Sequence, residues 1–272
     1  MDIKKLETIA NEIRKDIVTS IHAAKAGHPG GSLSSADILT YLYFEEMKNL
    51  DTQNPRNPER DRFVLSKGHA APVLYATLAQ KGFLPREDLV TLRRADSYLQ
   101  GHPDMHKIPG VDMSTGSLGQ GFSTAVGMAL AGKMDNKDYR VYALLGDGEI
   151  QEGQIWEAAM FAGARKLDNL VAILDYNGLQ IDGRTIDVCN PNPVDKKFEA
   201  FNFHVIMADA HDFESLQKAF DEARNTKGMP SIIIAKSVKG KGISFMENNA
   251  GWHGKAPNDE EYQKAMAELE MK

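Results

Sequence analysis

The sequence contains a single cysteine, Cys189, in 272 residues. No intramolecular disulfide can form, and a reducing compartment, the cytoplasm, is the simplest expectation. No apolar run approaches the length needed to cross a bilayer, and the opening stretch MDIKKLETIANEIRKDIV mixes charges without the apolar core of a secretion signal. Positive charge is not in excess. Lys and Arg number 32 against 38 Asp and Glu, a formal net charge of −6. That argues against nucleic acid as a partner but leaves room for local basic pockets that hold phosphates. No glycine loop ends in a Walker-type lysine, which excludes P-loop nucleotide chemistry. No H-E-x-x-H and no cysteine pair is present, and the H-x-x-x-H spacing of His102 and His106 encloses Pro103, which a regular helix resists. Zinc is therefore discounted. Internal repeats, low-complexity segments and linkers are also lacking, so residues 1–272 read as one domain.

The hydrophobic pattern divides the chain in two. Ile3, Leu6, Ile9, Ile13, Ile17 and Ile21 recur at spacings of three and four, which predicts an amphipathic helix with Gly27 as its stop. A second helix is expected over Ser34–Met47, a short strand at RFVLS, and helices over Ala71–Lys81, ended by Gly82, and Phe122–Lys133. Further on, the compact runs VYALLG, LVAILDY, HVIMA and SIIIAK suit strands buried on both faces. Helical patterns near Gln151–Lys166 and Phe213–Asn225 alternate with them, and Asn258 can cap a last helix. Such alternation predicts an α/β fold, a three-layer sandwich with a mostly parallel central sheet flanked by helices.

Two strand ends carry polar residues suited to a ligand. VYALLG runs into Gly146-Asp147-Gly148, and LVAILDY runs into Asn177-Gly178. Ligands of open α/β sheets sit at the carboxyl ends of strands, so Asp147 and Asn177 converge if the two strands are neighbours. One carboxylate, one amide oxygen and a main-chain carbonyl make a poor cage for a bare metal but suit Mg²⁺ that phosphate oxygens also hold. The Gly148 amide and the start of the following helix are placed to receive a diphosphate. Of eight histidines, four lie in turn-like contexts beside glycine or proline: His28 in GHPGG, His69 in SKGHAAP, His102 in QGHPD and His253 in GWHGK. Histidines placed there pack poorly, and four of them call for a common cause. His204, inside FHVIMA, reads as a packed strand residue, and His22 sits on the first helix.

With these motifs side by side, GDGEIQEGQIWEA followed by LDYNGLQIDG resembles the thiamin-diphosphate signature of transketolases. The resemblance extends from GHPGG to WHGKAP, nearly the whole chain. It implies that Asp147, Asn177 and the carbonyl of Leu179 hold Mg²⁺, or Ca²⁺ or Mn²⁺ in its place, with Gly148 near the diphosphate. It implies that His28 and His102 contact substrate hydroxyls, and that His69 and His253 lie near the diphosphate and the reacting carbon. Gly116, Ser117, Leu118 and Ile181 become walls of the thiazolium region, and Lys67 and Lys239 active-site lysines. Glu152 and Glu157 fall in the subunit contact that links two cofactor sites.

The motifs match only the first domain of such enzymes. The glutamate and apolar pocket that grip the aminopyrimidine are not assignable in this sequence, so the resemblance implies the N-terminal subunit of a split transketolase. Its partner would be a chain bearing the pyrimidine-binding domain, in a heterotetramer of two plus two. The reaction would move a two-carbon ketol unit between sugar phosphates, from xylulose 5-phosphate to ribose 5-phosphate. Alternatives are a related enzyme of another sugar phosphate, a 1-deoxyxylulose-5-phosphate synthase-like chain, or a non-catalytic scaffold. The repeated Gly-His-Pro motif favours transketolase over the synthase, and the intact Asp147/Asn177 pair argues against a decayed site.

Overall fold

The computed structural model describes residues 1–271. Helix α1 (Ile3–Ala24) is capped by the Asp2 side chain and buries Leu6, Ile13, Ile17 and Ile21 as their spacing demands. It ends at Lys25, which adopts the left-handed conformation (φ 51°), before Gly27 is reached. The expected single helix over 34–47 is instead α2 (Pro29–Leu33), α3 (Ala36–Tyr41) and a π-helical turn, Leu42–Glu46. Pro29 starts the helix early, and the hydroxyl of Ser35 donates back to the Gly31 carbonyl at 2.9 Å, competing with the helical ladder at the break.

Strand β1 (Arg62–Leu65) and helix α4 (Ala71–Lys81) follow, the helix ended by Gly82 at φ 88° as expected. Next come α5 (Gln120–Met134), β2 (Val141–Gly146), α6 (Gly153–Ala164) and β3 (Leu170–Tyr176). A small antiparallel hairpin, β4 (Leu179–Gln180) and β5 (Gly183–Arg184), leads to the short helices α7 (Thr185–Val188) and α8 (Val194–Ala200); the sequence pattern does not foretell any of these. The chain closes with β6 (His204–Asp209), α9 (Phe213–Asn225), β7 (Ser231–Lys236) and α10 (Asp259–Glu270), the last opened by an Asn258–Glu261 capping box.

The main sheet has the order β1-β2-β3-β7-β6, all parallel. Alternate strand residues feed two cores. Leu144, Ile173 and Ile233 face α1, α3, α4 and α9, while Leu145, Leu174 and Ile234 face α5, α6 and α8. This is the three-layer arrangement the sequence predicts. One strand departs from the prediction: β6 is an edge strand, bonded only to β7, and leaves Met207 65% exposed. His204 at its start is correspondingly not packed; its Nε2 meets Glu222 at 2.6 Å on the surface. Gly121, in the first turn of α5, lets that helix press onto β1, since a Cβ there would lie 2.7 Å from Ser66 Cα. Among the described residues no helix is long and apolar enough to cross a membrane.

Candidate active site

Four parallel strands end at one edge of the sheet, and each delivers a polar residue there: Lys67 after β1, Asp147 after β2, Asn177 after β3 and Lys239 after β7. They line one cleft of about 260 Å³ together with His28, His69, His253, Leu118, Leu179 and Ile181. Asp147 is 2% exposed, and its two carboxylate oxygens accept from the Gly148 and Gly178 amides. Gly178, at φ 77°, turns the chain so that the β4–β5 hairpin folds back towards Asp147. The carbonyl of Leu179 then points into the cleft, where it accepts from Lys239 Nζ at 3.1 Å. Asn177 donates through Nδ2 to Asp175 at 3.1 Å, which fixes the amide so that Oδ1 is the acceptor atom, here taking the Leu179 N–H.

A carboxylate, an amide oxygen and a carbonyl thus meet at the cleft, all hard oxygen donors. Among the described residues no three His, Cys, Asp or Glu side chains are grouped to hold a metal by themselves. This donor set fits a cation that needs phosphate oxygens to complete its shell. Helix α6 begins only at Gly153, behind a 3₁₀ turn over Glu149–Gln151, so its N-terminus is set back from Gly148.

The cleft's charge is organised by groups that the sequence motifs do not reveal. Asp175 is fully buried and receives Lys67 Nζ at 2.6 Å, Ser34 Oγ at 2.7 Å and the hydroxyl of Ser237. Burial opposes its ionisation, but Lys67 and these donors hold its carboxyl below the usual carboxylate range. Burial, reinforced by the nearby Asp175 charge, pushes Asp147 up to about 7. Glu149, also buried, accepts from Ser66 Oγ and from the Gly119 and Gly146 amides, tying the loop before α5 to the end of β2. The signal that could have revealed Asp175 is an acid inside the apolar run LVAILDY. Lysine alone reads as exposed charge, yet Lys67 and Lys239 are each 2% exposed. Burial brings Lys239 down to about 8, with Asp147 opposing the fall.

Three of the four turn histidines form a triangle. Ring centroids lie 5.1 Å apart for His28 and His69, 5.3 Å for His28 and His253, and 5.2 Å for His69 and His253. His253 Nδ1 accepts from Lys239 Nζ at 3.0 Å, whereas His28 Nδ1 is buried with no partner among the described residues. A buried orphan of this kind calls for a polar ligand. His102 stands just outside the triangle, packed on Gly116, where a Cβ would lie 3.2 Å from its Cγ. The loop carrying Gly116, Ser117 and Leu118 is pinned by Thr115 Oγ1 donating to the Leu65 carbonyl at 2.7 Å. Ile181 forms the lip, 68% exposed. Glu152, the residue before α6, and Glu157, on that helix, are exposed and do not line the cleft; Met160 and Phe161, one turn beyond Glu157, are 56% and 40% exposed.

Burial, with nearby cations adding to it, brings His28 down to about 4 and His253 to about 3, and depresses His69 and His102 as well. All four are neutral at pH 7. Their folded values lie below the unfolded value, so their contribution to stability is complete above about 6.5 and is lost as pH falls towards 4. These rings therefore act to lower the melting temperature across that window, against Asp147, raised to about 7, which acts the other way, and a His28→Asn, His253→Asn variant is expected to lose less stability than wild type as pH falls. An equal slope in the variant would remove these rings from the acid transition.

The chain is similar to known proteins over most of its length. The family described as "Transketolase, thiamine diphosphate binding domain" matches residues 5–272. The chain is 49% identical over 265 residues to the 6-deoxy-6-sulfo-D-fructose transketolase subunit SqwG of Clostridium sp. strain MSTE9, covering 97% of this chain and 96% of that one. It is 44% identical over 269 residues to one of the subunits of the apulose-4-phosphate transketolase of Phocaeicola vulgatus, covering 99% and 95%. The crystal structure of transketolase from Campylobacter jejuni superposes with a TM-score of 0.91 at 37% identity, covering 99% of this chain and 43% of that one.

Proposed function

The chain belongs to the transketolase thiamin-diphosphate-binding family, and from that premise we propose that it is the diphosphate-half subunit of a split transketolase, one domain over residues 1–272. Two relatives of matching length are themselves called subunits, which supports a separate partner chain carrying the pyrimidine-binding domain. We assign the assembly as two plus two, in the cytoplasm, with Glu152 and Glu157 on the face towards a neighbouring subunit. The observation that carries the proposal is the convergence of Asp147, Asn177 and the Leu179 carbonyl with two buried lysines and a histidine triangle at one sheet edge.

In this reading Asp147, Asn177 Oδ1 and the Leu179 carbonyl hold Mg²⁺, or Ca²⁺ or Mn²⁺. Lys239, His69, His253 and Gly148 surround the diphosphate. Gly116, Ser117, Leu118 and Ile181 wall the thiazolium. Thiamin diphosphate supplies a carbon nucleophile and an electron sink for moving a two-carbon ketol unit. The protein's part is to bind, orient and move protons. The neutral rings of His28 and His102 can each donate and accept, so they can grip sugar hydroxyls and take a proton from one oxygen while giving one to another. Lys67 keeps Asp175 ionised, and Asp175 orients Asn177.

The donor sugar is the finer part of the proposal. The two relatives are named for a sulfonated fructose and for apulose 4-phosphate, and both names carry an anionic group. Xylulose 5-phosphate with ribose 5-phosphate is the reference pair, and a sulfonated ketose belongs beside it in any assay. In the assembled enzyme, His102→Ala is expected to leave thiamin diphosphate affinity within about twofold while lowering kcat/KM by about 10²–10⁴. Unchanged transfer would remove His102 from the substrate site.

A further inference from the structure

His211 lies outside the cleft, in the turn between β6 and α9, and no sequence motif points to it. Its ring is nonetheless largely buried, with 12% of the side chain exposed against 7% for Asp37 beside it. Nδ1 meets Asp37 Oδ2 at 2.7 Å, and the same carboxylate oxygen pairs with the guanidinium of Arg14. On the other edge of the ring, the Val238 N–H donates to Nε2 at 2.9 Å. A backbone N–H can only donate, so Nε2 carries no proton and Nδ1 must carry one, which it gives to Asp37. The tautomer is thereby set by geometry.

Val238 sits between two residues that serve the cleft. Ser237 donates its hydroxyl to Asp175, and Lys239 reaches the Leu179 carbonyl and His253 Nδ1. Between the end of β7 and Gly240, the Val238 N–H ties this turn to a side chain outside the cleft, alongside two backbone bonds, the Ser237 N–H to the Tyr176 carbonyl at 3.1 Å and the Asn248 N–H to the Lys239 carbonyl at 2.9 Å. Gly240 N–H adds a bond to the Gly30 carbonyl at 3.0 Å. The chain of contacts runs from Arg14 through Asp37 and His211 to the Ser237–Val238 peptide, one residue before Lys239. A carboxylate behind a histidine fixes the ring's orientation and tautomer, as in the supporting shells of metal-ligating histidines.

We infer that His211 is a positioning residue for the diphosphate end of the cleft: through the Val238 N–H it holds the turn that aims Lys239. This rests on the reading of Lys239 as a cofactor-binding group. Asn and Gln separate the two edges of the ring. Asn at 211 can still donate to Asp37 but cannot reach Val238; Gln can place its carbonyl oxygen near the Nε2 position and accept from Val238.

The test uses the assembled complex with its partner chain, Mg²⁺ and thiamin diphosphate, read by calorimetric affinity, together with ¹⁵N spectra of histidine-labelled chain in that complex. Wild type should bind the cofactor, and its His211 ring should show a protonated Nδ1 and a bare Nε2. His211→Asn should weaken cofactor binding about tenfold, the scale of one lost hydrogen bond, and His211→Gln should recover it to within about threefold. Wild type that binds no cofactor would overturn the reading of the site itself. Wild type that binds, with His211→Asn equally tight, would overturn the positioning role alone. So would a ring protonated on Nε2, a result that needs no variant to fold.

Discussion

Asp147→Ala is expected to weaken Mg²⁺-dependent binding of thiamin diphosphate by at least about a hundredfold in the assembled enzyme, beyond the upper end of what removing an outer-shell partner costs a metal site. The carboxylate is the only charged member of the oxygen set, and it is 2% exposed. Its two oxygens also hold the Gly148 and Gly178 amides, so it shapes both strand ends that form the site. On the proposed reading, truncation removes the cation's anionic ligand, and it releases the hairpin that presents the Leu179 carbonyl. Lys239, also 2% exposed, loses the negative field of Asp147 that supports its charge and becomes a buried cation short of a counter-charge. Isothermal calorimetry with Mg²⁺ and cofactor reads the loss directly. Full affinity in Asp147→Ala would mean that the metal is held elsewhere.

Lys67→Met carries the largest expected cost to folding. Lys67 and Asp175 pair at 2.6 Å with side-chain exposures of 3% and 0%. Removing one partner of such a pair leaves the other charge uncompensated, which costs about 3–5 kcal/mol. Ser34 and Ser237 still donate to Asp175, but hydroxyls bring no positive charge to that contact. Adding Asp175→Asn to Lys67→Met removes the stranded charge, so the double variant is expected to recover much of the loss. That is a coupling of neighbouring sites that additive single effects do not give. Denaturant midpoints of the four proteins supply the cycle. A Lys67→Met variant as stable as wild type would show that the ammonium is dispensable to the core. The same variant should bind cofactor weakly, because Asp175 sets the orientation of the Asn177 amide.

The sequence and the structure agree where local pattern is decisive. The apolar runs became strands β2, β3 and β7, Gly82 ended α4, and Asn258 capped α10, because burial on both faces and cap chemistry leave few alternatives. The resemblance carried most of the cleft, since its residues lie in short motifs at strand ends. What escaped depended on long-range placement. That HVIMA would lie at an edge follows from strand order, which no local run encodes. Asp175, Ser34 and Ser237 meet from three distant segments, and a serine or an aspartate carries no mark of its future partner. The resemblance names Lys67 and Lys239 as active-site lysines, but their burial, 2% exposed each, follows only from the fold. The Ser34–Ser35 break in the helix arises from side chains bonding back to the Gly31 carbonyl, a competition that hydrophobic periodicity does not register.

The most direct test of the split-enzyme proposal is a ketol-transfer assay on this chain by itself, on the candidate pyrimidine-domain chain by itself, and on the two mixed. Each is supplied with thiamin diphosphate, Mg²⁺, xylulose 5-phosphate or a sulfonated ketose, and ribose 5-phosphate. Transfer is expected from the mixture and from neither chain in isolation, because the proposal gives this chain only the diphosphate half of the site. Transfer by this chain without its partner would contradict the proposal, since it would place the entire catalytic apparatus within these 272 residues.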